Sequence, residues 1–244
     1  TELGRSNFPL FDLHVHLKEG LGLEEALANA RKYGFTYGIA VNCGLNNIVP
    51  DEKTLQEFLE TYERPPDAYL ALQAEGREWV DLFSEESISK FDYVFTDSMT
   101  WTNDRGKRMR LWIEEVVEVR TPHNVMRMHV NRIEGILNDE PIDIYVNPTY
   151  LPEQINHLYD ELWTEKRMDR VIKGLVDNQI ALEINDVRRI PSPAFIKRAK
   201  EAGVKFTCGT NNRSAEDLGW SKYCLDIIQE CELKASDMWD PTMK

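Results

Sequence analysis

The chain has 244 residues and a formal net charge of −13. That charge argues against a nucleic-acid backbone or an anionic membrane as the main partner, since both would be repelled. No apolar run reaches the length of a membrane span. A small substrate, including an anionic one met by a local Arg cluster, stays open.

The predicted elements alternate between short apolar strands and amphipathic helices. The first strand is Leu10 to His16, in "LFDLHVH". A helix follows in "GLEEALANARKYG", with Leu23, Ala26, Leu27 and Ala30 on one face and Gly34 as its cap. Strands are then expected over Tyr37 to Cys43, Ala68 to Glu75 and Asp92 to Asp97. The stretch from about Thr100 to Asp139 begins irregularly, and "TWTNDRGKRMRLW" reads as a loop excursion over about 100–115. Further strands are expected over Asp143 to Asn147, Ile180 to Asn185 and Val204 to Thr210. "SPAFIKRAKEAG" opens on a Ser-Pro cap pair and ends at Gly203, and one last helical stretch starts at Ser214.

Strands alternating with helices imply a parallel sheet. Seven such units in one chain point to a closed or nearly closed barrel in a single domain over 1–244, either an eight-stranded one with a strand not seen or one of a seven-stranded type. The four cysteines form no C-x-x-C pair, so neither a zinc knuckle nor a redox motif is expected. The chain begins at Thr1 without Met. Its compartment therefore stays open between the cytoplasm and, if a leader was removed, the periplasm or exterior. Its oligomeric state is not legible.

Function in such barrels sits at the C-terminal strand ends. Every predicted strand here ends in a polar group: His14 and His16, Asn42, Glu75, Asp97, Asn147, Glu183 with Asn185, and Asn211 with Asn212. Strict alternation puts Asp12, His14 and His16 on one face of the first strand, with Asp12 placed to orient His14. Two imidazoles two residues apart can reach one ion, and Glu75 and Asp97 would add hard oxygen donors. The expected ligand set is His14, His16, Glu75 and Asp97, for Zn, Mn or Fe. Lys18, Arg110 and Arg213 are candidates to hold a substrate anion, and Glu75, Asp97, Lys18 and Arg110 are the catalytic candidates. Arg188 and Arg189 read as solvated loop charge, and His123, His129 and His157 as helix-face residues. Asn147, Glu183, Asn185, Asn211 and Asn212 would suit a polyhydroxylated ligand.

Four stretches carry a family resemblance: "FDLHVHLKEGLGLEEALANARKYGFTYGIAV", "ALQAEG", "FDYVFTDSM" and "ALEIN…FIKRAKEAGVKFTCGTNNRSAEDLGW". They resemble the polymerase-and-histidinol-phosphatase (PHP) superfamily of metal-dependent phosphoesterases. The resemblance implies a distorted (β/α)7 TIM-like barrel and a metal centre with His14, His16 and Glu75 at ligand positions. It departs at Cys43, Met99, Asn147, Asn211 and Arg213, which stand where the family carries further ligands. One ion is therefore expected rather than three. The reading at this level is a divergent metal-dependent hydrolase acting on a phosphoester or small polyhydroxylated substrate. A binding barrel without metal chemistry and an amidohydrolase-like enzyme are the alternatives.

Overall fold

The computed structural model describes residues 8–113, 121–219 and 222–244. Seven strands form one parallel sheet: β1 (Phe11–Val15), β2 (Thr36–Cys43), β3 (Ala68–Ala74), β4 (Tyr93–Thr96), β7 (Ile144–Tyr145), β8 (Ala181–Asn185) and β9 (Phe206–Gly209). They lie in that order around a nearly closed, distorted barrel. The expected excursion contains a short antiparallel hairpin, β5 (Thr100–Thr102) with β6 (Arg108–Arg110), turned at Gly106. Its C-terminal end beyond residue 113 lies outside the described residues.

Helices pack against the outer face of the sheet. The first, Leu23–Tyr33, buries Ala26, Leu27 and Ala30, and stops where Gly34 adopts a left-handed φ of 75°. Pro193–Glu201 is capped by the Ser192 hydroxyl, which accepts from the Phe195 N–H at 3.4 Å. The expected last helical stretch is two pieces, a 3₁₀ turn over Ala215–Asp217 and a helix over Tyr223–Glu230. Gly219, at φ 90°, separates them, while Trp220 and Ser221 fall outside the described residues. His123 and His129 lie in the helix Pro122–Asp139, and His157 follows a short turn over Glu153–Asn156.

The barrel interior holds Leu13, Ala71, Phe95, Ile144 and Ala181, with Trp239 among them. The larger apolar layer lies between sheet and helices and includes Leu72, Ile184, Phe206 and Cys208. Strict alternation fails in β1, because its pairing with β2 shifts register between Asp12 and Val15. Leu13 belongs to the interior cluster, yet the adjacent His14 also packs on the interior Phe95, at 4.6 Å between ring centroids.

The seam between β9 and β1 is closed by the Asp12 side chain and one backbone hydrogen bond rather than by a ladder. Thr210 N–H and Oγ1–H donate to Asp12 Oδ1 and Oδ2 at 2.9 and 2.8 Å, and Asn211 N–H donates to the His14 carbonyl at 2.8 Å. Asp12 is fully buried, and burial pushes its carboxyl up to about 6 despite these donors. Asp12 therefore fastens the seam, and of His14 its carboxylate meets the backbone N–H, at 3.4 Å, and not the ring.

Candidate active site at the barrel mouth

Glu183, on β8, orients His14. Its Oε1 lies 2.5 Å from His14 Nδ1, and its Oε2 accepts from Asn147 N–H at 2.7 Å and from Asn185 Nδ2 at 3.1 Å. All of these residues are buried. Gly209 makes the approach possible, because a Cβ there would stand 2.4 Å from Glu183 Oε1 and 2.7 Å from His14 Cβ. Gly209→Ala is expected to destabilise the fold by about 1–3 kcal/mol, the usual range for overpacking a tight interior. Thermal unfolding of the variant checks this; a melting curve matching that of the parent would show that the site relaxes without cost.

Asn147 is the hub of the network. Its Nδ2 donates to Asp97 Oδ2 at 2.8 Å, and its Oδ1 accepts from Asn185 and Asn211, each at 3.0 Å. Asp97 Oδ1 accepts the Met99 N–H at 2.8 Å. Neutral amides thus satisfy both carboxylates, so neither is left to a cation alone.

Above this layer opens a cavity of about 380 Å³. His16, Lys18, Asn42, Glu75, Asp97, Asn147 and Asn211 are among the residues that line it. Asn42 Nδ2 donates to Glu75 Oε1 at 2.8 Å. Burial first, and the charge of Asp97 second, push the Glu75 carboxyl above its ordinary range. Burial, helped by His14 and Lys18, pushes His16 down to about 3, so its imidazole is neutral near pH 7.

His14, Glu183 and Asn185 are not among the lining residues and lie in the supporting layer. Asn212 clasps the His16 backbone, accepting from its N–H at 2.7 Å and donating to its carbonyl at 3.0 Å, while Lys18 Nζ donates to the Asn212 carbonyl. Arg213 is exposed and forked onto Asp217, and it borders only a second, adjacent cavity. Arg110 lines neither cavity. Cys43 faces the other way, into the core between sheet and helices, where burial pushes its thiol up.

Three lining residues were not singled out for this role. Gln73 is buried, and its Oε1 has no partner. Its signal was a polar residue inside an apolar strand, two before Glu75 on the same face. Arg188 is exposed, but it lines both cavities and lies over the Tyr150 ring at 4.7 Å. Thr100 enters from the start of the hairpin. Trp101 does not line the cavity; it packs under the Arg132 guanidinium, 3.5 Å from its ring centroid. Trp112, by contrast, borders the opening.

A resident ion would need these donors to converge on one point. His14 Nε2 is buried without a partner, and a neutral His16 ring lies 5.1 Å away between centroids. Beyond those two imidazoles the set disperses. Among the described residues no three His, Cys, Asp or Glu side chains gather in a way that could hold a metal ion. Asp97 accepts hydrogen bonds from Met99 and Asn147, and Glu75 accepts one from Asn42. The expected set of His14, His16, Glu75 and Asp97 is thus not drawn together around one point among the described residues, although His14, oriented through Nδ1 by Glu183, keeps Nε2 open.

Fold and mouth together define a class: a seven-stranded parallel α/β barrel with a buried amide–carboxylate layer under a polar cavity at its C-terminal strand ends. No family model matches the chain, and no curated protein matches it in sequence. Among solved structures it is similar to the histidinol phosphate phosphatase of Lactococcus lactis, crystallised with zinc, L-histidinol and phosphate. That match has a TM-score of 0.62 and 12% identity, covering 95% of this chain and 99% of the other. RipC from Yersinia pestis aligns at a TM-score of 0.39 and 13% identity, covering 90% of this chain and 87% of its own. The first match makes the fold PHP-like; at that identity the likeness is one of fold. Among the described residues no helix is long and apolar enough to cross a membrane.

Proposed function

We propose that this chain is a hydrolase that takes a small polyhydroxylated substrate into the barrel mouth and works through carboxylates rather than a resident ion. The observation that carries the reading is that Glu75 and Asp97 share one cavity, with Glu75 biased toward its protonated form by burial and by Asp97. A carboxyl group whose pKa is raised beside a second carboxylate is suited to act as a general acid. Glu75 would give its proton to the leaving oxygen. Asp97, aimed by Met99 and Asn147, would take a proton from the attacking water. The water oxygen bonds to the electrophilic centre as the bond to the leaving oxygen breaks, and one proton moves at each carboxyl group. Asn42, Gln73 and Asn211 offer amide groups to substrate hydroxyls above the Asn147 hub, and Lys18 and Arg188 suit an anionic substituent.

The fold shared with a histidinol phosphate phosphatase supports a hydrolase in the broad sense, so phosphorylated polyols belong among the test substrates. The experiment is a turnover screen of glycosides, sugar esters and sugar phosphates, run with EDTA and then with added Zn, Mn or Fe. Turnover that survives EDTA is expected. Turnover that appears only with added metal would return the metal-dependent reading. Saccharide binding without any turnover would leave a non-catalytic barrel.

A further inference from the structure

The first cavity is only part of the mouth. A second cavity of about 520 Å³ adjoins it, and Lys18, Arg188 and Asn211 line both. The segment from Asn147 to Tyr150 divides them: Asn147 faces the first, and Thr149 and Tyr150 face the second. This partition is built with strain. Asn147 has φ 46° and Thr149 φ 63°, and a β-branched residue in the left-handed region is an outlier that its surroundings must hold.

The surroundings do hold it. Tyr159 OH donates to Thr149 Oγ1 at 2.7 Å, and Trp163 Nε1–H donates to the Thr149 carbonyl at 3.0 Å. Ser192 N–H in turn donates to Tyr159 OH at 3.1 Å. Strain of this kind collects where a backbone is fixed for a ligand. Here it separates two cavities without sealing either from the shared rim of Lys18 and Arg188.

We propose that the second cavity is a subsite for the distal half of an extended substrate, a second polyhydroxylated ring bordered by Tyr150, Glu153 and Asn156. An aromatic ring beside hydrogen-bonding side chains is the chemistry that receives a sugar-like ring. Arg188 and Lys18 span the junction, where an anionic linkage or substituent is best matched. The inference rests on the polyhydroxylated reading of the first cavity.

Calorimetric titration of the full chain with matched monosaccharides and disaccharides, each with and without a phosphate, tests it. The best disaccharide is expected to bind at least about tenfold more tightly than its better half, equivalent to about 1.4 kcal/mol. That ratio falls toward one in Tyr150→Ala. It also falls in Asn156→Trp, which fills the cavity from an exposed position and so leaves the core alone. A ratio near one in the parent, or one that neither variant lowers, overturns the subsite and leaves the first-cavity reading standing. Failure of every saccharide and sugar phosphate to bind the parent overturns both.

Discussion

Glu183→Ala is expected to lower the unfolding free energy by about 3–5 kcal/mol, the range found when one partner of a buried charged pair is removed. The reason is accounting of donors. Glu183 accepts from His14, the Asn147 backbone and Asn185, and alanine would strand all three in the interior. Glu183→Gln should lose less, since it keeps one carbonyl oxygen, but its NH₂ would face donors where an oxygen now accepts. Urea unfolding of both variants checks this. A loss under about 1 kcal/mol for alanine would mean that the buried layer under the mouth is not held by Glu183.

The second large effect concerns turnover. Glu75→Gln is expected to reduce kcat by about 10²–10⁴-fold, the usual contribution of a general acid, with a much smaller change in KM. Because Glu75 must be protonated to donate, activity should fall as pH rises through its raised pKa, and that limb should vanish in Glu75→Gln. The direction can be tested further. Asn42 donates to Glu75 and lowers its pKa, so Asn42→Ala should move the limb to higher pH. Removal of the Asp97 charge in Asp97→Asn should move the residual limb to lower pH. A pH profile unchanged in Asn42→Ala would separate Glu75 from the titrating group.

Much of this architecture was written in the sequence, and the failures have physical causes. The seven sheet strands were legible because each is an apolar run that ends in a polar residue, and parallel strands buried on both faces need such runs. The hairpin was legible only as an excursion, since Thr-Trp-Thr and Arg-Met-Arg carry one apolar residue each and strands of three residues are too short for a pattern. Asp12 was misjudged because alternation was assumed through β1, where the register shifts; the residue that orients His14 is Glu183, 169 positions away in sequence. Arg188 was taken as a loop charge, because its place over Tyr150 depends on two loops that only the fold brings together. The cluster of strand-end amides was visible, but not that those amides would bond to one another and to the carboxylates.

That last point changes the meaning of the departures from the PHP pattern. The resemblance would put a further metal ligand where Asn147 stands. Here its amide ties Asp97, Asn185 and Asn211 together while its backbone N–H binds Glu183. Substituents that bond to one another make an ordered polar floor, which a metal centre with missing ligands would not by itself produce.

The central claim, that this floor works without a resident ion, is tested most directly by metal content. The protein is equilibrated with Zn, Mn or Fe(II), passed through a desalting column and analysed by mass spectrometry for bound metal. The predicted result is substoichiometric metal, indistinguishable between the parent and His14→Ala. One ion per chain in the parent, lost in His14→Ala, would contradict it.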